Sequence, residues 1–285
     1  MKEKIFLEIG IKIKSKYREL VLPTMLELGC SGFMETEDTL YCYIDRDLLT
    51  QPEYQNLEEN LKKIIQLKSE NLLINVREIA EENWNEKWER GIQPIEIGKR
   101  FVVVPSWCKY DNKKDNIILK IDPKMSFGTG FHETTRLTLT LLEKHVKTGF
   151  NILDVGTGTG ILAIAAIKMG AIKSVGIDID EWSVENAQEN VIKNEVQDFV
   201  KIYIKRPQEI NEKFNIITSN LTLNTNIEFL KEYSRLTESK GIIILSGFFK
   251  NDVKILETHL IKTKFSIKDI IYENEWSAIS AIKAE

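Results

Sequence analysis

An apolar run that stops at an aspartate, three glycines at spacing two, then a helix of small residues: "LDVGTGTGILAIAA" (153–166) limits what this 285-residue chain can become. The apolar run reads as a buried strand, the glycines as the turn that leaves the sheet, and the Ala/Ile stretch as a helix packed closely against it. From 151 the same rhythm recurs. Strand candidates are "NILDV", "KSVGID", "VKIYIK", "FNIITSN", "GIIILSGF", "FSIKDIIYENE" and "WSAISAIKA". Helical stretches separate the first five, and the last two abut as a terminal hairpin. This alternation predicts an α/β fold, a doubly wound parallel sheet with an antiparallel edge. Right-handed crossovers set the loops after the strands along one rim, where ligands bind at the switch point.

The glycines admit three kinds of ligand. A P-loop needs a lysine and a hydroxyl residue after its last glycine, and Ile161 and Leu162 stand there instead. A dinucleotide turn is closer: Gly158, Gly160 and Ala163 match GxGxxA, and Asp178 follows Gly158 by twenty residues, where a ribose-binding acid belongs. Two features point elsewhere. Asp154 sits two residues before the first glycine, and a carboxylate buried at a strand end must be hydrogen-bonded. Gly156, Gly158 and Gly160 together suggest a broad turn that suits a zwitterionic tail crossing the backbone.

Ahead of this part lies a smaller unit. "IFLEIGIKI" (5–13) alternates as a half-buried strand does, 17–29 reads as a helix, and "GFMETED" and "TLYCYID" read as short strands. "NLEENLKKIIQLKSE" (56–70) is amphipathic and "NLLINVREI" (71–79) is a strand, an order that suggests a ferredoxin-like domain over 1–79. Residues 80–94, with Trp84 and Trp88 on one face, read as a linker helix. The remaining domain, 95–285, begins with two strands, "IEIGKRFVVVPSW" and "NIILKIDP". The three cysteines have no CxxC spacing, which fits reduced thiols in a cytoplasmic protein, and the three histidines have no metal-ligand spacing. No apolar run approaches the ~20 residues that span a bilayer. The net charge of −4 makes nucleic acid a poor default partner, although a total conceals how charge is distributed.

D-x-G-x-G-x-G after the first strand, followed by "GIDID", resembles the S-adenosylmethionine fingerprint of Rossmann-like methyltransferases. Upstream, "IDPKMSFGTGFHETT" (121–135) and "NWNEKWERGIQPIEIGKRFVVVPSW" (83–107) resemble segments of the ribosomal protein L-eleven methyltransferases, the PrmA family. So do "SGF" (246–248) and "NEW" (274–276), so the likeness covers nearly the whole chain. It implies a ferredoxin-like substrate-recognition domain joined to a methyltransferase. It implies S-adenosylmethionine as cofactor and, as partner, a large-subunit ribosomal protein methylated on lysine side chains or the α-amine. It places cofactor contacts at Thr135, Gly156, Asp178 and Asn220.

To these the residues themselves add Asp154, Gly158 and Gly160 in the loop, with Phe127 and Thr134 covering the cofactor. Asp178 is expected to accept the ribose hydroxyls, and Asp180 to cap the following helix. Asn220 and the carbonyl of Leu221 are the expected catalytic pair, accepting N–H bonds from the substrate amine. His132 reads as structural. After Asn220 the chain departs from the family's N-I-x-A pattern with Leu221, Thr222, Leu223 and Asn224. Two further readings stand beside this one: a lysine methyltransferase with another protein target, and a nucleotide- or RNA-binding module using Tyr41 and Tyr43.

Overall fold

The computed structural model describes residues 5–12, 21, 25–26, 28–36, 39–48, 73–80, 93–122, 124 and 126–285. The chain divides into two compact units, Met1–Arg90 and Gly91–Glu285. The expected helices at 56–70 and around Trp84 and Trp88 lie outside the described residues, as does most of 17–29.

In the first unit β1 (Ile5–Lys12), β2 (Gly32–Glu35), β3 (Thr39–Asp45) and β4 (Leu73–Ala80) form an antiparallel sheet in the order β2-β3-β1-β4. The period-two pattern sends Leu7, Ile9 and Ile11 to one face, where they meet Leu40, Cys42 and Ile44. Burial pushes the thiols of Cys30 and Cys42 up to about 11 and about 12, so both are inert core residues. The opposite face is centred on Glu8, which pairs with Arg77 at 2.6 Å and accepts the Tyr43 hydroxyl at 3.2 Å. An acid at the middle of the tyrosine face opposes a phosphate backbone, so this face lacks the character of an RNA platform.

The second unit opens with a correction. The segment read as one strand over 95–107 holds two, β5 (Ile95–Ile97) and β6 (Phe101–Val104), antiparallel across a turn at Gly98, and β7 (Ile117–Lys120) runs parallel to β6. β5 is only three residues long and partly buried, so it did not stand out from the fully buried β6 that follows.

The main sheet has seven strands: β8 (Asn151–Val155), β9 (Lys173–Asp178), β10 (Val200–Ile204), β11 (Phe214–Asn220), β12 (Thr237–Phe249), β13 (Phe265–Glu273) and β14 (Trp276–Lys283). Their order is β10-β9-β8-β11-β12-β14-β13. The first five are parallel and the terminal hairpin is antiparallel, with β14 inserted beside β12. Helices α1 (Glu133–His145), α2 (Ile161–Lys168) and α3 (Glu181–Lys193) cover one face, where Ile152, Ile216 and Ile244 point. Helices α4 (Leu223–Leu236) and α5 (Val253–Lys262) cover the other, against Leu153, Ile217 and Ile243. Burial on both faces explains why these strands read as unbroken apolar runs. The strand order reverses between β8 and β11, so their C-terminal ends open the crevice in which a ligand can sit.

Candidate active site

The glycine loop leaves β8 at Gly156 and enters α2 at Gly160. Its foundation is Asp154, fully buried and held by the hydroxyls of Thr157 and Thr218, each at 2.7 Å. Burial pushes this carboxyl up to about 6, the two hydroxyls pull it back, and the charge of Asp178 adds to the rise. Asp154 therefore supports the loop from beneath and does not line the cleft.

Every amide of the loop is already spent. Gly156 and Thr157 donate to the Ile177 carbonyl at 2.9 and 3.0 Å, and Gly158 donates to Asp178 Oδ2 at 3.0 Å. Thr159 donates to the Phe127 carbonyl at 2.9 Å, and Gly160 to Thr157 at 2.8 Å. A diphosphate cradle works by offering free N–H groups from its glycine turn, and residues 156–160 offer none. That separates it from both the P-loop and the dinucleotide turn, a distinction the glycine spacing alone leaves open.

The bare backbone also serves the protein's own packing. A Cβ on Gly158, at φ +53°, would stand 2.3 Å from the Phe127 carbonyl oxygen, and one on Gly156 would stand 2.5 Å from the Leu221 side chain. Gly158 thus lets the 126–130 segment lie directly on the loop, where the Thr159 hydroxyl also donates to the Gly128 carbonyl at 2.6 Å. That segment is anchored at both ends. Upstream, Asp122 accepts from the Ser106 amide and hydroxyl, each at 2.7 Å, and from Lys193 at 2.5 Å. Burial pushes its carboxyl up, but Lys193 and Ser106 more than offset that and hold it below its usual range. Asn190 pairs with the amide and carbonyl of Asp122, and Asn194 with those of Lys120, so α3 supplies side chains in place of a neighbouring strand. Downstream, His132 Nδ1 caps α1 by accepting from the Thr134 amide at 3.3 Å. The structural reading of His132 holds: the cap is His132, and Thr134 and Thr135 lie in the first turn behind it.

A cleft of about 430 Å³ opens over these elements, and Phe127, Thr134, Gly156, Gly158, Asp178, Asn220 and Leu221 all line it. Three expected contacts do not: Asp154 is under the loop, Gly160 packs against Ala187, and Thr135 stands behind Asn220, accepting from its Nδ2 at 3.4 Å. Ser183 lines it with no sequence signal, Thr222, Gly247 and Trp276 line it from stretches that carried a family comparison but no site role, and His132 was assigned only a structural part. Trp276 meets the His132 ring edge-on at 4.9 Å between centroids, joining the end of the chain to the 126–132 segment. The "NEW" stretch was the one signal that pointed there.

Asp178 is partly committed. Its Oδ1 accepts the amides of Ile179 and Asp180 at 2.8 and 3.2 Å, and its Oδ2 accepts Gly158. Four lone-pair sites less three bonds leave room for one further donor, on Oδ2. Asp180 caps α3 as expected, accepting from Ser183 at 3.0 Å.

Asn220 ends β11, and its Oδ1 is buried with no hydrogen-bond partner. In a core where buried polar atoms are paired, such an acceptor marks the place of an incoming donor. The loop after it is fixed by the fully buried Asn226, which donates to the carbonyls of Leu221 at 2.7 Å and Ser246 at 3.0 Å and accepts from Ser219 at 2.8 Å. Thr222, at the open position of the family pattern, is the N-cap of α4. Among the described residues no group of three or more His, Cys, Asp or Glu side chains is arranged to hold a metal ion, and no helix is long and apolar enough to cross a membrane.

A Rossmann-like sheet whose glycine loop has no amide left for a phosphate, with an acid at the second strand and an unpaired amide oxygen at the fourth, is that of an S-adenosylmethionine-dependent methyltransferase. The chain belongs to the family described as "Ribosomal protein L11 methyltransferase (PrmA)", whose model matches residues 5–284. It is 31% identical to the ribosomal protein L11 methyltransferase of Caldicellulosiruptor saccharolyticus, over 97% of this chain and 99% of that one. It is 34% identical to that of Caldicellulosiruptor bescii, over 90% and 95%. Among solved structures, the ribosomal protein L11 methylase of Lactobacillus delbrueckii subsp. bulgaricus superposes with a TM-score of 0.64 and 26% identity, covering 68% of this chain and all of that one.

Proposed function

We propose that this enzyme, which methylates ribosomal protein L11, delivers the methyl to amino groups of that protein, with Asn220 as the residue that positions the amine. Bound S-adenosylmethionine supplies an electrophilic methyl on a sulfonium. Asp178 takes a ribose hydroxyl on the free site of Oδ2, and a second hydroxyl must share an oxygen that already accepts amides. The carbonyls of Gly156 and Gly158, which accept nothing from the described residues, suit the ammonium of the methionine tail. Phe127 and Thr134 close the cleft from the 126–135 side.

The observation that carries the reading is the unpartnered, buried Oδ1 of Asn220. An amine N–H bonded there has its lone pair fixed in direction, and orientation of this kind supplies several kcal/mol of a barrier. Transfer into the partly apolar cleft favours the neutral, nucleophilic amine over the ammonium. The Leu221 carbonyl, expected as a second acceptor, already accepts from Asn226 and keeps one lone pair for this purpose. The N-terminal unit, read as ferredoxin-like, is assigned to substrate recognition, and its buried free thiols suit a cytoplasmic setting.

The test is intact-mass spectrometry of unmodified large-subunit ribosomal proteins after incubation with enzyme and S-adenosylmethionine. Methyl-sized steps on L11 alone are expected. Asn220→Ala should still bind the cofactor, by calorimetry, with affinity lowered only a few-fold by the loss of one contact, and methylate at about one-hundredth of the rate. A variant that turns over at the normal rate would remove Asn220 from the role. Steps on another protein instead of L11 would favour the same chemistry with a different target.

A further inference from the structure

At the opposite end of the main sheet from the cleft, the N-terminal ends of β11 and β12 border a second cavity, of about 680 Å³. Asn215 lines this cavity and Asn220 lines the cleft, at the two ends of one strand. At ~3.3 Å per residue the two sites stand about 17 Å apart. Occupation of one leaves the other open.

Four lysines converge on the cavity: Lys144 from the last turn of α1, Lys147 from just past its C-cap, Lys240 from β12, and Lys268 from β13. The convergence depends on a bulge. The β13–β14 ladder pairs Ile267 with Ala281 and then Asp269 with Ser280, skipping Lys268. In a regular strand Lys268 and Asp269 would face opposite sides, whereas here both line the same cavity. Lys240 is held at φ +61°, a left-handed conformation in which a glycine would be unstrained.

The pairing within the cavity is one-sided. Its one acid, Asp269, is already engaged by Lys144, by His145 at 2.9 Å and by Ser280 at 2.9 Å, which leaves one of its four acceptor sites. Lys240 has only an exposed pair with the last residue, Glu285, of a kind that contributes little. Lys147 and Lys268 have no ion-pair partner among the described residues. Asn215 accepts the Asn151 amide through Oδ1, which leaves its NH2 to donate. Thus the polar side chains left over are donors and cations. Burial, with the charges of Lys268 and Lys144, holds the His145 imidazole below its usual range against the pull of Asp269. A positive centre on a chain of net charge −4 calls for an anion.

We propose that this cavity is an anion site for a phosphate-bearing ligand, either a stretch of RNA backbone or a free polyphosphate, separate from the methyl-transfer cleft. The size and the spread of cations around a wide mouth match several phosphate groups rather than one.

The experiment uses the full chain, a labelled mixed-sequence RNA strand of about 12 nucleotides followed by fluorescence anisotropy, and tripolyphosphate followed by calorimetry, at 50 and 200 mM salt. Lys147→Ala/Lys268→Ala should weaken binding about tenfold at the lower salt. For RNA it should also flatten the log–log salt slope by about 1.4, two single-strand phosphate contacts at ~0.7 each. Lys201→Ala/Lys254→Ala, an equal charge change on β10 and α5, should leave binding unchanged, and both doubles should bind S-adenosylmethionine normally. Cavity-dependent binding of RNA assigns the site to a nucleic-acid backbone, and of tripolyphosphate alone to a free phosphate compound. Binding of neither probe, equal loss in both doubles, or capture of a polyglutamate peptide in preference to both would overturn the proposal.

Discussion

At the C-terminal ends of β8 and β11 the sheet carries glycines, hydroxyls and amides, with Asp178 as the one carboxylate in the lining; at the N-terminal ends of β11 and β12 it carries lysines. The first end is defined by the main chain. Its loop amides are used up, its glycines are filled by neighbours, and its one buried side-chain atom without a partner is Asn220 Oδ1. The second end is defined by long side chains around a nearly spent acid. A cleft that aims a lone pair needs atoms fixed to fractions of an ångström, which short residues in saturated hydrogen-bond networks provide. A surface that attracts charge needs only its sign and density, which flexible lysines provide. The difference teaches that substitutions at the first end should act through geometry, and at the second through charge alone.

The sharpest way to break that contrast is Gly158→Ala. The new methyl meets the Phe127 carbonyl at 2.3 Å from a positive φ, so main chain must move. We expect a loss of about 3 kcal/mol in urea unfolding, and no detectable cofactor binding by calorimetry. A variant that is normal in both would show that the 126–130 segment is not rigidly seated.

Asp154→Asn tests the foundation of the loop through pH. The folded carboxyl keeps its proton to about pH 6, whereas an unfolded one releases it near 3.8. Between those values the native state binds more protons, so wild-type stability falls as pH rises, by about 3 kcal/mol in all, and is flat above. The Asn variant should lack this slope. Parallel stability curves for the two proteins between pH 4 and 6.5 would mean that Asp154 is ionised throughout.

Asn226→Ala leaves two carbonyls without a donor inside the core, at Leu221 and Ser246. It should cost about 2 kcal/mol and slow methyl transfer about tenfold as the Asn220 loop loosens, while cofactor affinity changes little. Equal losses in rate and cofactor affinity would show that the loop positions the cofactor and not the amine. The smallest effect is expected at the other end of the sheet. Lys147→Ala/Lys268→Ala should change unfolding stability by less than about 0.5 kcal/mol and leave the methylation rate of L11 as it was. A large drop in either would mean that the two ends are coupled.

Much of this was legible from local pattern. The seven strands of the main sheet, the glycine turn after β8, the helix caps at Asp180 and the structural part of His132 follow from hydrophobic periodicity and cap chemistry, which act within a few residues. Seven of the ten expected site residues line the cleft because strands β8, β9 and β11 all end at one rim. The break at Gly98 was not legible, since a strand of three residues, Ile95–Ile97, is too short to register beside the buried β6. Nor was the role of Asn190, Asn194 and Asn226, because polar residues in helices look solvent-facing until a carbonyl appears opposite them.

The sequence by itself determined the α/β fold class, the crevice at the switch point and most of the residue types that line it, because buried strands, glycine turns and strand-end acids each carry local signals. Only the tertiary structure decided that the loop amides are spent, that Asp154, Thr135 and Gly160 support the cleft without lining it, and that Asn220 keeps a free acceptor. It alone gathered Lys144, Lys147, Lys240 and Lys268 into one cavity. The physical reason is common to all of these: hydrogen-bond saturation and charge density are sums over neighbours in space, and strand order, with a single bulge at Lys268, sets who those neighbours are.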